Sequence, residues 1–308
     1  MENIALVFPG QGSQYVGMAK DFYDSFDAAK KIIDRADEIV GKNFRNIVFT
    51  GPEEELKKTD ITQPAIFTMS VLIYEIVKEK FANKISFCAG HSLGEYSALY
   101  AAGAFNFETG LALVMRRGDL MQIASDKNKG GMAAIIGLTI DKINEICEKV
   151  KGDGYLTVAN INSPNQIVVS GEVSAIEKAE KIAIEYGAKR YIKLNVAGAF
   201  HSALMQYAAD ILKNEINNYE IKDLIIPVIA NYSAKEVKTK EEIKDSLIKQ
   251  IVSPVRWVET IEYIKSKNVS TYIEIGPGTV LSGLIKKVDK NLKIYNIDKV
   301  QDIEKINI

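Results

Sequence analysis

The stretch from Met132 to Val196 constrains the fold more than any other part of the chain, because its hydrophobic period changes repeatedly within a short span. "MAAIIGL" (Met132 to Leu138) predicts a strand and Asp141 to Val150 a helix. "YLTVANI" and "QIVVSG" follow as two strands, the second ending at Gly171. Ser174 to Tyr186 then predicts a helix and "RYIKLNV" (Arg190 to Val196) a closing strand. Period-two and period-3.6 patterns in the order βαββαβ describe one compact four-stranded unit, complete in itself.

The flanking sequence follows a different rule. Before the unit, Ile4 to Phe8 and Ile85 to Ala89 read as strands, and "SVLIYEIVKEKF" (Ser70 to Phe81) has helical spacing with one charged face. After it, "PVIANYS" reads as a strand, Thr239 to Ile251 and Trp257 to Lys267 as helices, and "TYIEIGPG" as a strand ending in a tight turn. Such alternation predicts an α/β fold with a mostly parallel sheet. The expected organisation is therefore a large α/β domain formed by residues 1–127 and 197–308, interrupted by a small ferredoxin-like insert at 128–196. The flexible-looking "SDKNKGG" (Ser125 to Gly131) marks the entrance and "NVAGAFHS" the exit. A cleft between the two units is the default site.

Bulk properties exclude several function classes. The formal net charge of the 308 residues is -1, so no whole-chain field draws it to nucleic acid or to an anionic membrane. "MENIALVF" lacks the charged lead and long apolar core of a signal peptide. No stretch approaches the roughly 20 apolar residues of a membrane helix, and the sparse cysteines fit a reducing cytoplasm, where the protein is expected. Cys88 and Cys147 lie far apart, and His91 and His201 are the only histidines. A disulfide scaffold, a cysteine zinc site and a histidine-rich metal centre are all disfavoured.

Two glycine-bearing loops carry the chemistry. "FPGQGSQYVGM" follows the first strand, where phosphate cradles often lie. A dinucleotide fingerprint counted from Gly10 and Gly12 needs glycine where Tyr15 stands, and a P-loop needs Lys and Ser/Thr where Met18 and Ala19 stand. The second loop, "AGHSLGEYSAL", fits G-x-S-x-G at Gly90 to Gly94, with an apolar run before and a helical run after. In that setting Ser92 occupies a sharp strand-to-helix turn beside amides suited to an oxyanion. The bland alternative is a glycine-bounded turn with a capping serine.

A serine needs a base. His91 is adjacent but points elsewhere on a sharp turn, whereas His201 leaves the insert where it can face the cleft. No single carboxylate stands out to orient the imidazole; a main-chain carbonyl near the helix end in "KQIVSPVRW" is one acceptor. Arg116 and Arg117, side by side in "VMRRG", point about 100° apart on a helix, so only one can face the cleft.

"VFPGQGSQYVGM", "GHSLGEYSAL", "LVMRRG", "NSPNQIVVSG", "GAFHSALM", "QIVSPVRW" and "EIGPG", in this order and spacing, resemble the malonyl-CoA:acyl carrier protein transacylase family over Ile4 to Lys287. The resemblance implies an α/β-hydrolase-like large domain with a ferredoxin-like insert. It implies that Ser92 is the nucleophile, His201 the general base and acid, and Gln250 the residue whose main-chain carbonyl orients that histidine. Arg117 would pair with the malonyl carboxylate, and Gln11 and Leu93 would supply oxyanion-hole amides. Phe200 resembles the residue associated with malonyl preference; its ring would crowd an α-methyl branch, and equal kcat/KM for malonyl- and methylmalonyl-CoA would refute that.

The activity implied is ping-pong transfer from malonyl-CoA to holo acyl carrier protein, with no metal or redox cofactor and a monomeric enzyme. Carrier proteins being acidic, docking near lysines and arginines at the cleft mouth is expected. Loading of a polyketide synthase fits the same motifs. A serine thioesterase or hydrolase explains Ser92 and His201 but leaves Arg117 without a role. A silent interaction module leaves all three unexplained.

Overall fold

The computed structural model describes residues 3–152 and 154–306; positions 1–2 and 307–308 of the expected large domain, and Asp153 of the expected insert, lie outside the described residues. Among the described residues ten strands are formed: β1 (Ile4–Phe8), β2 (Ile85–Gly90), β3 (Gly130–Ile136), β4 (Leu156–Ser163), β5 (Gln166–Glu172), β6 (Arg190–Lys193), β7 (Val228–Ile229), β8 (Glu236–Val237), β9 (Thr271–Ile275) and β10 (Lys293–Ile297). They make two sheets. One has six strands in the order β10-β9-β1-β2-β7-β8, the other four in the order β4-β5-β3-β6.

In the larger sheet β1, β2, β7, β9 and β10 run parallel and only β8 is antiparallel. Parallel strands need helical crossovers that cover both faces, which is why β1 is an unbroken apolar run and buried throughout. The smaller sheet is antiparallel at every pairing. Its order places the first strand of the unit between the third and fourth, the ferredoxin-like arrangement expected from the βαββαβ pattern. The two helices of that unit, Ile140–Val150 and Val173–Glu185, bury Ile143, Ile146 and Val150, and Ala175, Ile176, Ala179 and Ala183. These lie on one face each, as the spacing requires.

The smaller sheet is tied by backbone hydrogen bonds to the segment around Val255, which belongs to neither sheet. Ile161 N–H donates to Val255 O at 2.9 Å, and Val255 N–H to Ala159 O at 2.8 Å. The end of β4 is thereby fixed against the segment that starts the helix Trp257–Ser266.

Four details differ from the sequence expectations. The helix expected at Ser70 to Phe81 is the second half of Thr59–Phe81, whose first half is buried on nearly every side and shows no amphipathic period. The entrance expected to be flexible is largely taken up by regular structure, since Phe107–Lys127 runs into it, β3 begins at Gly130, and Ser125 Oγ–H donates to Met121 O at 2.8 Å. "PVIANYS" contributes only Val228 and Ile229 as strand, because the chain turns at Asn231 to reach the neighbouring loop. β6 ends at Lys193, after which the chain leaves the sheet to form a cavity wall. Among the described residues no helix is long and apolar enough to cross a membrane.

Candidate active site

The parallel pairing of β1 with β2 sets their following loops side by side, and glycines let them touch. A Cβ on Gly94 would lie 2.0 Å from Phe8 O, one on Gly10 would lie 2.3 Å from His91 O, and one on Gly90 would lie 1.9 Å from Gly94 C. No side chain fits at these three points. Gly10, Gly90 and Gly94 therefore form one backbone-on-backbone junction, which brings Gln11 and Ser92 to one cavity.

Ser92 itself has φ 51°, the left-handed conformation expected of a nucleophile elbow. Its amide donates to Asn231 Oδ1 at 2.7 Å, and Asn231 Nδ2 donates to Gly90 O at 2.6 Å. Asn231 thus clamps both sides of the strained turn. The helix that follows is Gly94–Ala101. Its first three amides close on the carbonyls of His91, Ser92 and Leu93. The Leu93 amide, like that of Gln11, has no hydrogen-bond partner among the described residues.

His201 also sits in the left-handed region, at φ 57°, and is 3% exposed. Ser92 Oγ lies 2.8 Å from His201 Nε2, and His201 Nδ1 lies 2.9 Å from Gln250 O. A carbonyl can only accept, so Nδ1 carries the proton and Nε2 is free to take one from serine. Burial, aided by the nearby Arg117 charge, pushes the His201 imidazole down to about 3. It is a neutral acceptor at any ordinary pH.

Arg117 is 1% exposed. Its Nη2 donates to Ser92 Oγ at 3.0 Å and to Gln250 Oε1 at 3.1 Å, and Nη1 donates to Gln63 Oε1 at 2.8 Å. The guanidinium lies 5.6 Å from the Tyr96 ring centroid. Arg116 points the other way and donates from Nε and Nη2 to the two Glu215 carboxylate oxygens, each at 2.6 Å. Of the two adjacent arginines, Arg117 is therefore the one that reaches Ser92.

Ser92, His201, Arg117, Gln11 and Phe200 line one cavity of about 110 Å³, with Gln63, His91, Met121, Met132, Asn160, Leu194 and Val196 completing it. Its volume suits a short acyl group. Gln11 and Val196 also border a wider open groove of about 710 Å³ that passes Lys57, Lys58 and Arg116. His91 is turned from the Ser92 hydroxyl, its Nε2 2.8 Å from Asn162 Oδ1 and its ring against Trp257.

Four contributors escape a reading of the sequence. Asn231 stands in what looks like a strand, and Gln63 in a helix without visible period. Asn162 precedes the "SPNQ" turn and looks like a turn residue. Glu95 follows Ser92 by one helical turn and reads as an ordinary first-turn acid, yet it is fully buried. Burial pushes its carboxyl up, opposed by hydrogen bonds from Asn231, Gln250 and Ser246 and by the Arg117 charge.

Residues 5–307 match the family described as "Acyl transferase domain". The malonyl CoA-acyl carrier protein transacylase of Bacillus subtilis (strain 168) is 45% identical over 305 residues, covering 99% of this chain and 96% of that protein. An acyl carrier protein S-malonyltransferase from Vibrio cholerae has a crystal structure that superposes with a TM-score of 0.95 at 39% identity, covering 99% and 100% of the two chains. A malonyl-transacylase in complex with its type II PKS acyl-carrier protein superposes equally well, at 0.95 and 39% identity over 98% of each chain.

Proposed function

The chain belongs to the acyl transferase domain family, and from that premise we propose that it moves a malonyl group from malonyl-CoA to the phosphopantetheine thiol of acyl carrier protein. It is an acyltransferase of the malonyl-transferring kind, serving fatty-acid synthesis. The observation that carries the choice of acyl group is the buried Arg117 guanidinium within 3.0 Å of Ser92 Oγ. A cation removed from water beside a nucleophile suits an acyl chain that ends in a carboxylate, which Arg can hold through two parallel hydrogen bonds.

In the first half-reaction His201 Nε2 takes the Ser92 proton as Oγ attacks the thioester carbon. The Gln11 and Leu93 amides receive the developing oxyanion. Collapse breaks the C–S bond, and the proton on Nε2 passes to the departing CoA sulfur. The second half-reaction reverses these steps with the carrier thiol as nucleophile, and His201 returns the proton to Ser92. A thiolate leaves more readily than an amine, so the Gln250 carbonyl suffices where a hydrolase uses a carboxylate on its histidine. The open groove past Gln11 gives the pantetheine arm a route to Ser92, and the Phe200 ring favours malonyl over methylmalonyl. Residues 128–196 act as an inserted subdomain that supplies the cavity wall opposite the elbow. The enzyme so proposed is a monomer working in the cytoplasm.

Mixing the protein with malonyl-CoA and quenching in acid should yield a malonyl adduct on the Ser92 peptide by mass spectrometry. The adduct should persist until holo carrier protein is added and then move to it. Release as free malonate would identify a hydrolase, and absence of the adduct would remove the nucleophile. Since a type II PKS partner occurs for one structural relative, carriers of both kinds belong in the second step; faster loading of that kind would favour the polyketide reading.

A further inference from the structure

Glu95 takes no part in the steps above, yet it is fully buried and all three of its hydrogen bonds stay within the site. Its Oε2 accepts from Asn231 N–H at 2.9 Å and from Gln250 Nε2 at 2.8 Å, and its Oε1 lies 2.8 Å from Ser246 Oγ. The Gln250 amide is therefore used completely. Nε2 gives one hydrogen to Glu95 and the other to Ser92 O at 2.9 Å, while Oε1 accepts from Arg117. Turning that amide over would set its N–H donors against the guanidinium and its oxygen against two acceptors. Only one orientation satisfies every partner.

We propose that Glu95 is a positioning residue for Arg117, acting through the Gln250 side chain to hold the guanidinium in its carboxylate-binding pose. Gln250 then has two separable duties. Its main-chain oxygen holds the imidazole, and its side chain, fixed by Glu95, holds the arginine. The relay works by reach and by an accepting oxygen, so a neutral acceptor of the same length serves as well as the carboxylate.

The inference rests on the reading that Arg117 binds the malonyl carboxylate, and the two are tested apart. The quantity to measure is the ratio of second-order rate constants for acylating Ser92 with malonyl-CoA and with acetyl-CoA, which has no carboxylate. Both constants come from one sample, so the ratio does not depend on the folded fraction. Glu95→Asp keeps the charge and withdraws the oxygen by a methylene; the ratio should fall about tenfold, the scale of one hydrogen bond to a charged group. Glu95→Gln keeps reach and acceptor, and should hold the ratio to within about threefold. Gln250→Met removes the relay and leaves the main-chain carbonyl; it should lower the ratio about as far as Glu95→Asp, and it serves where that variant does not fold. An unchanged ratio in Glu95→Asp or Gln250→Met overturns the inference, as does a Glu95→Gln ratio as low as that of Glu95→Asp. Arg117→Ala is the control. If it leaves the ratio intact, the reading of Arg117 fails; if it collapses the ratio while the Glu95 and Gln250 variants do not, only the relay fails.

Discussion

Two strands of the large sheet, β2 and β9, end in the same way and put the result to opposite uses. Each passes through a glycine-bounded turn into a helix, and each turn needs left-handed backbone. After β9 the positive φ angles fall on Gly276 and Gly278. After β2 they fall on Ser92. The helix Val280–Val288 that follows β9 has its amides closed by the chain's own acid: Glu274 accepts from Leu281 N–H at 2.9 Å and from Ser282 N–H at 2.7 Å. The helix after β2 leaves the Leu93 amide, next to Ser92, without a hydrogen-bond partner among the described residues. A helix N-terminus is an anion site in both cases. One acceptor is permanent and belongs to the fold, a carboxyl that burial pushes up; the other, in the proposed mechanism, is an oxyanion that exists only while a thioester is being opened. Strain follows the same division, carried by glycine where nothing reacts and by serine where something does.

The largest expected effect breaks the reactive side of this comparison. Ser92→Ala and Ser92→Gly should each lower malonyl transfer by about 10⁴-fold or more. Their stabilities should part, however. Glycine accepts a left-handed φ freely and alanine does not, so Ser92→Gly should be the more stable of the two by about 1 kcal/mol in thermal unfolding. Equal melting temperatures would mean that the elbow stores no strain. A smaller effect breaks the structural side. Glu274→Ala strands two helix amides and the Ser282 hydroxyl, and should destabilise the fold by about 2–3 kcal/mol. It should leave kcat/KM per folded enzyme within about twofold, because no Glu274 atom reaches the cavity. A large loss of kcat/KM at undiminished stability would show that the two turns are not independent.

The comparison also explains which parts of the molecule a reader of the sequence can find. Steric necessity writes itself into sequence: Gly90, Gly94 and Gly10 are glycines because a Cβ at each would overlap backbone, so both loops announce themselves. Amphipathic packing does so too, and the βαββαβ order and its two helices follow from Ile143, Ile146 and Val150 at one spacing and Ala175, Ala179 and Ala183 at another. Long-range hydrogen bonds leave no such trace. Asn231 lies 139 positions from the amide it clamps, and Glu95 lies 155 from Gln250. Nothing local distinguishes them from a turn asparagine or an exposed helix acid. The orienting acceptor on His201 is harder still, because a main-chain oxygen has no residue type; the end of a helix with open carbonyls marks only its neighbourhood.

The smallest expected effect is the near absence of one, and it separates the buried imidazole from an exposed histidine. A general base must be neutral to accept the Ser92 proton. An imidazole at its ordinary value of about 6.5 would be mostly protonated at pH 5, and kcat/KM would fall about thirtyfold from its plateau. Burial and the Arg117 charge hold His201 down at about 3, so kcat/KM for malonyl-CoA should change less than about twofold between pH 7.5 and 5. The same shift has a thermodynamic consequence of the opposite visibility. The folded state keeps His201 neutral, while the unfolded chain binds a proton below about pH 6.5. The stability held by the neutral ring is therefore complete above that pH and lost progressively as pH falls toward the folded value. His91, which burial also lowers, acts in the same sense. Melting temperature should decline over the very range in which kcat/KM stays flat. Replacing His201 with Gln should flatten the melting curve against pH, leaving the residual slope to His91 and the carboxylates. A kcat/KM profile that bends near 6.5 would place the imidazole in water and overturn the reading of His201 as a buried, neutral base.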